Sequence, residues 1–261
     1  MDNYKPVYTL PESYQDEWLP FHIAKKYRNI LILSDIHIPY HDTEALTIAI
    51  DWAKKHEVDC VILNGDIVDF YGISKWSKDP TRPTVKTELD MLYQFLQWLH
   101  QELPVKIYYK DGNHEERITH YLRAKCAELY NVIEYRKEKL YDYASLDIEM
   151  IGNQRIIKAG KLPILHGHEL QLKSVAVNPA RSTFLKTYDS CLVGHLHKAS
   201  EHTESDLTGK IITTWSVGCL CEMHPEYARI NKWSHGFARV KLDDAGNFKV
   251  TNLRIYEGEV L

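Results

Sequence analysis

Asn29-Ile30-Leu31-Ile32-Leu33-Ser34-Asp35-Ile36-His37 decides how this chain is read: a mostly apolar run leads straight into a carboxylate and an imidazole. A continuous apolar run of this length is the pattern of a strand buried on both faces of an α/β sheet. Its polar continuation then arrives at the carboxyl edge, where open α/β sheets bind ligands. Side chains alternate along an extended segment, so Asp35 and His37 point to the same side. The arrangement recurs. Asp59-Cys60-Val61-Ile62-Leu63 leads to Gly65-Asp66-Ile67-Val68-Asp69, and residues 105–109 lead to Gly112-Asn113-His114-Glu115. Residues 162–165 lead to His166-Gly167-His168, and 190–193 to Gly194-His195-Leu196-His197. Strand ends that gather carboxylates, an amide and imidazoles have the layout of a two-metal hydrolytic centre.

The donor types narrow the chemistry. Asp66 follows a glycine that lets the backbone turn closely, and its two carboxylate oxygens can serve two cations at once. Asn113 adds a neutral oxygen. Mixed imidazole and carboxylate donors suit manganese, iron or zinc, whereas an all-oxygen set would favour magnesium or calcium. Two dications facing Asp35 and Asp66 keep a positive excess, which favours an anionic phosphate substrate over a neutral one. Taken singly, each piece has a plainer reading: Asp35 as a turn residue after a strand, Asp69 as a helix cap. Glu115 reads as a residue that favours the first turn of a helix starting near Glu116 through the dipole. His168 is open between a hydrogen-bonding partner of the ligands and a solvent-facing loop residue. Arg117 is a candidate contact to the substrate phosphate, against the default of an exposed helix arginine. Cys219, Cys221 and His224 form a partial zinc set with no evident fourth ligand, and alternation in a strand explains them.

The rest of the chain places these pieces on a layered α/β architecture. Residues 43–55 have helical periodicity through Leu46, Ile50 and Ala53, and 84–101 through Leu89, Leu92, Phe95, Leu96 and Leu99. Residues 116–129 read as a further helix. From 211 onward the pattern is β, over 211–217, 236–242 and 248–256, with Asp244-Ala245-Gly246-Asn247 as the turn between the last two. Two packed sheets with helices outside follow. At 261 residues the chain can bury one large core, so we expect a single domain over 29–261, with 1–28 as an N-terminal extension packed on it. No apolar run is long enough to span a bilayer and no leader segment is evident, which predicts a cytoplasmic protein with no membrane partner. Five cysteines scattered through apolar runs suit reduced thiols better than a disulfide framework.

A net charge of −4 gives no reason for whole-surface affinity to nucleic acid, but Lys75, Lys78 and Arg82 form a local patch. They lie in 70–83, a loop directly after Asp69 that interleaves aromatic and cationic residues, as stacking on bases and neutralising phosphates require. The plainer reading is a lid or helix cap with its rings packed inward. A second such region, 222–236, holds Tyr227, Arg229, Lys232, Trp233 and His235. The N-terminal Tyr4, Tyr8, Tyr14 and Trp18 add to it. The same residue types concentrate at subunit interfaces, which leaves a homo-oligomer open.

In order, the five polar segments resemble the motifs of the calcineurin-like metallophosphoesterases, over 35–197. The Gly-Asn-His-Glu-Glu-Arg opening at 112–117 is similar to small members often carried by bacterial viruses. The resemblance implies a four-layer αββα sandwich with the metals at the carboxyl edge of both sheets. It implies Asp35, His37 and His197 on a first metal, Asn113, His166 and His195 on a second, and Asp66 bridging. His114 matches the catalytic histidine that contacts the phosphoryl oxygen and helps protonate the leaving alkoxide, and Asp69 the residue that orients it. Protein phosphatases of the family usually carry an arginine where this chain has Phe70, which counts against that branch. The expectation is therefore a phosphodiesterase or nuclease acting on DNA, RNA or nucleotides with two divalent metals, manganese first and iron, zinc or nickel as alternatives. A nucleotide or protein phosphomonoesterase is the second reading. A non-catalytic metal-binding scaffold is the third, disfavoured because the donor set is complete.

Overall fold

Alternation along one strand shows how the layers are built. In the computed structural model, which describes residues 10–15, 17–132, 146–172 and 177–261, the second strand β2 (Asn29–Leu33) sends Leu31 and Leu33 to one hydrophobic layer and Ile30 and Ile32 to another. Its neighbour β3 (Cys60–Asn64) repeats this, with Val61 and Leu63 outward and Cys60 and Ile62 inward. The outward layer is covered by the helices α1 (Thr43–Lys55) and α2 (Val85–Glu102), which bury Leu46, Ile50, Leu92, Leu96 and Leu99. Asp42 caps α1 by accepting from Ala45 N at 2.8 Å, and Thr84 caps α2 through Thr87 N at 3.2 Å.

The remaining elements are β1 (Phe21–His22), β4 (Lys106–Lys110), α3 (Glu116–Lys125), β5 (Ile148–Ile151), β6 (Ile157–Ala159), β7 (Leu162–Leu165) and the helix Pro179–Thr187. They continue with β8 (Cys191–Val193), β9 (Ser200–Ser205), β10 (Ile211–Ser216), β11 (Gly236–Leu242), β12 (Phe248–Tyr256) and β13 (Glu259–Val260). One sheet runs β13-β12-β11-β2-β3-β4-β5, the other β1-β6-β7-β8-β10-β9. Both are mixed: β2 to β5 are parallel beside an antiparallel β11–β13 flank, while β7, β8 and β10 are parallel with β9 antiparallel at the edge. Between the sheets lie Ile30, Ile32, Ile62, Ile164, Leu192 and Trp215. The helix Pro179–Thr187 closes the far side, with Ala180 O accepting from Thr214 Oγ1 at 2.7 Å. Helix, sheet, sheet, helix is the expected four-layer αββα order.

The differences from the sequence reading have local causes. The helix expected over 116–129 ends at Lys125, where Cys126 leaves helical geometry, and a 3-10 turn Ala127–Leu129 follows. The edge strand β9, Ser-Glu-His-Thr-Glu-Ser, carries no apolar alternation because neither of its faces is buried in the core. Within the N-terminal stretch, β1 pairs with β6 and Arg155 Nε donates to Leu19 O at 2.9 Å. Tyr14 is fully exposed, Trp18 Nε1 donates to Asn153 O at 3.1 Å, and Tyr4 and Tyr8 lie outside the described residues. No helix among the described residues is long and apolar enough to cross a membrane.

Candidate metal centre

Five strands of the two sheets, β2, β3, β4, β7 and β8, end at one place, and the residues that follow them turn sharply. Asp35, His37, Asp66, His195 and His197 all adopt left-handed backbone, with φ between 53° and 67°. Non-glycine residues seldom do so, Asp and His more readily than most, and clusters of such positions mark functional sites. Gly65, at φ +86°, could not be replaced: a Cβ there would stand 2.5 Å from His166 Nδ1 and 2.8 Å from the Gly112 Cα. The turn after β3 thus lies against the backbone of the turn after β4 and against the His166 ring after β7.

Both carboxylates at the centre are held by one oxygen and present the other. Asp35 Oδ2 accepts from Ser34 Oγ at 2.6 Å and His195 N at 2.8 Å, while Oδ1 faces His197 Nε2 at 3.2 Å. Asp66 Oδ1 accepts from His114 N at 2.9 Å. Its Oδ2 lies 3.2 Å from His166 Nε2, 3.8 Å from His114 Nε2 and 3.9 Å from His37 Nε2. The imidazoles are oriented from behind. His166 Nδ1 donates to Asn64 O at 2.7 Å and His37 Nδ1 to Asp69 Oδ1 at 3.0 Å, which leaves each Nε2 lone pair aimed inward. The His37 and His197 Nε2 atoms converge to 3.2 Å. His195 packs 5.1 Å from the His166 ring, and its donor falls within one cluster with those of Asp66 and His166. Asp35, His37 and Asp66 form a second cluster, so Asp66 belongs to both.

The donor set fits divalent cations. Asn113 Oδ1 is buried without a hydrogen bond, while Asp35 Oδ1 and His166 Nε2 are buried against His197 Nε2 and Asp66 Oδ2, each at 3.2 Å, so the segments after β2, β4 and β7 each aim a donor inward. Electrostatics agree with this. Burial works to raise Asp35 and Asp66, but His197 on the first and His114 and His166 on the second hold both carboxyls below the usual range. His166 and His197 are raised in turn: burial opposes their charge, and Asp66 and Asp35 outweigh it. Burial, reinforced by His166, pushes His195 down to about 4. A field that holds protons on buried imidazoles is one that dications can take over, releasing those protons.

Asp69 does more than orient His114. Its carboxylate oxygen Oδ1 faces His37 Nδ1 and, at 3.1 Å, His114 Nδ1, while its carbonyl accepts from Arg117 Nη1 at 2.6 Å and faces His114 Nδ1 at 2.8 Å. Burial opposes its ionisation, and the hydrogen bonds from His114 and His37 overcome that and hold it low. Arg117 is partly buried rather than splayed into solvent, and its Nη2 lies 2.8 Å from His114 Nε2. Burial would lower His114, but Asp66 and Asp69 together leave it above its ordinary value.

Glu115 was read from sequence as a helix-dipole residue, and its side chain has a different task. It is fully buried, with Oε1 accepting from Ile67 N, Val68 N and Tyr109 Oη, and Oε2 from Asp66 N and Gly112 N. One carboxylate therefore ties the Asp66 turn to the Asn113 turn. His168 faces inward, between Glu116 at 3.4 Å and Glu169 at 3.5 Å. Of the partial zinc set, Cys221 Sγ lies 3.9 Å from His197 Nδ1, while His224 is exposed and bonded to Arg229 O, so the three do not converge. Among the described residues all five cysteines are free thiols.

A cleft of about 790 Å³ opens from His37, Asp69, His114 and Arg117. Its walls are Tyr40, Tyr71, Trp76, Lys78 and Arg82 on one side and Glu222, Glu226 and Tyr227 on the other. Arg82 Nη2 bonds Glu226 Oε2 at 3.0 Å across it. Both regions singled out beyond the motifs thus border the centre. A cavity of about 920 Å³ beyond α3, lined by Trp18, His120, Arg123 and Arg155 among others, holds none of the predicted ligands.

The chain matches the calcineurin-like phosphoesterase family over residues 28–210. The Gene 54 protein of Mycobacterium phage L5 is 23% identical over 229 residues, 83% of this chain and 89% of that protein. Its counterpart from Mycobacterium phage D29 is 21% identical over the same shares. Among solved structures, Vacuolar Protein Sorting 29 from Cryptosporidium parvum superposes with a TM-score of 0.49 at 13% identity, covering 90% of this chain and 95% of its own. A dimetal phosphatase from Danio rerio gives 0.42 at 14% identity, covering 87% and 96%. With the family match extending over well more than half its length, this chain belongs to the calcineurin-like phosphoesterases and is a hydrolase of phosphoric esters.

Proposed function

We propose that the protein is a two-metal phosphodiesterase acting in the cytoplasm on nucleic acid or nucleotides, with manganese as its metal. Asp35, His37 and His197 would hold one ion, Asn113, His166 and His195 the other, and Asp66 both. Bound there, the metals would supply an activated water and neutralise charge on the phosphoryl group. The chain's own groups do the rest. Asp69 keeps His37 and His114 in register. Arg117 sits where a phosphate oxygen would arrive, and it now donates to His114 Nε2. A phosphate is the better acceptor, so an entering substrate would draw Arg117 off and free Nε2 to carry the proton that the leaving oxygen needs.

The observation that carries the diester reading is the cleft wall. Tyr71, Trp76 and Tyr227 line the cleft beside the centre together with Lys78 and the Glu226-paired Arg82, and three rings in one cleft suit stacked bases better than a small monoester. Phe70, fully buried at φ +50°, stands where a protein phosphatase of the family would need its arginine. The test compares manganese-loaded protein on bis-p-nitrophenyl phosphate, p-nitrophenyl phosphate, and single-stranded and duplex DNA. Diester and DNA cleavage well above monoester cleavage is expected. Monoester cleavage alone would move the assignment to a nucleotide or protein phosphatase.

A further inference from the structure

Lys110 ends β4 with its side chain completely buried, an unusual place for an ammonium group. It pairs with Glu169 Oε1 at 2.8 Å and donates to Arg155 O at 2.7 Å. The Glu169 side chain is 8% exposed, and its carboxylate also accepts from His166 N at 3.3 Å and Gly167 N at 2.6 Å. Burial works against the charge on Glu169, yet Lys110, with His168 and His166, holds the carboxyl down to about 2. Replacing a buried ion pair by apolar residues is often neutral or stabilising, so stability alone gives little reason to keep this one.

Its placement does give a reason. Lys110 belongs to the seven-stranded sheet and lies three residues before Asn113. Glu169 follows β7 of the six-stranded sheet and lies three residues after His166. Asn113 Oδ1 is buried without a hydrogen bond, and His166 Nε2, buried as well, faces Asp66 Oδ2 at 3.2 Å. Among the described residues, the hydrogen bonds and ion pairs of Lys110 and Glu169 reach none of Asp35, His37 and His197.

We propose that Lys110 and Glu169 are a positioning pair for the second metal alone, clamping the turn that carries Asn113 to the turn that carries His166 across the two sheets. This rests on the two-metal reading above. The pair touches neither substrate nor metal; it sets how far apart two ligands stand.

Manganese is titrated calorimetrically into metal-free protein, and the two-equivalent sample is examined by electron paramagnetic resonance. The variants are Glu169→Gln, Lys110→Met and the double substitution. The double variant strands no charge, so it reports even if a single variant fails to fold, and circular dichroism checks each. The expected result is one of the two affinities within about twofold of wild type and the other weakened about 10–100-fold, the usual range for groups that orient a ligand. The spectrum of a coupled manganese pair should give way to that of isolated manganese. Equal weakening of both sites, or none in the folded double variant, overturns the proposal. A wild-type protein that binds a single ion overturns the two-metal reading itself and this proposal with it.

Discussion

The floor of the cleft and its wall differ in how each side chain is held. On the floor, Asp35, Asp66 and His166 are at most 2% exposed and each is fixed by hydrogen bonds to neighbouring turns. On the wall, Trp76 and Tyr227 are 69% and 73% exposed, and the two sides meet through the Arg82–Glu226 ion pair, whose carboxylate is mostly exposed. A surface ion pair of that kind contributes about 0–1 kcal/mol. The floor is preorganised for one kind of chemistry, while the wall is free to vary in what it grips.

The largest effect expected from this contrast is on the floor. His114→Ala should lower kcat by about 10² to 10⁴, the usual contribution of a general acid, with the metal content by elemental analysis unchanged. Because the Asp69 carboxylate favours the protonated form of His114, the wild-type rate should fall as pH rises and that imidazole loses its proton, and the variant should lose this limb. Loss of metal along with the rate would make His114 a ligand and erase the distinction between holding and reacting groups. An intermediate effect is expected on the wall. Trp76→Ala and Tyr227→Ala should each raise KM on single-stranded DNA by an amount corresponding to about 1–3 kcal/mol of base stacking, leaving bis-p-nitrophenyl phosphate hydrolysis unchanged. A matching fall in kcat on the small diester would mean that the wall belongs to the reacting machinery.

The smallest effect on catalysis is expected where floor and wall join, and there the change is one of stability. Glu88, fully buried on α2, accepts from Tyr71 N at 3.1 Å at the root of the 70–83 loop. Burial first, and the Asp69 charge second, raise its carboxyl to about 8. Between about 4.5 in the unfolded chain and about 8 in the folded one, the native state holds a proton that the unfolded state has lost. Stability from this group therefore falls as pH rises across that window and levels off above it. Glu88→Gln removes the slope. At about 1.4 kcal/mol per pH unit across that window and about 2–4 °C per kcal/mol for a domain of this size, thermal melts from pH 5 to 9 should show the wild type losing on the order of 10 °C relative to the variant. Parallel melting curves would show that the junction does not sense pH.

The turns that carry the candidate ligands were legible because each follows an apolar run, but the extended alternation expected to align Asp35 with His37 is not what aligns them, since both residues have left-handed backbone. The αββα order was legible from the same runs, since β2 and β3 are apolar on both faces. Other features left no such trace. Glu115 meets Asp66, Ile67 and Val68 at separations of 47 to 49 residues, and a pair contact of that range has no periodic signature. Glu115 in the Gly-Asn-His-Glu run looks like any acidic residue opening a helix. Lys110 lies one residue past the strand expected over 105–109, and nothing in its neighbours marks it as buried against Glu169, after β7 of the other sheet. β5 and β6 are too short to show a period, and the helix Pro179–Thr187 carries only a weak apolar stripe, with Ala180 and Thr183 buried. The shared role of Asp69 was half visible: the family resemblance implied His114 as one partner, and only the folded chain shows His37 as the other.

Because Asp35, Asp66 and Asn113 follow strands of one sheet and His166, His195 and His197 follow strands of the other, cations lodged among them would act as rivets through the seam between the layers. Stripping the ions should then loosen the two slabs against each other before either frays within itself, so that a chelator acts on this molecule as a mild and selective denaturant.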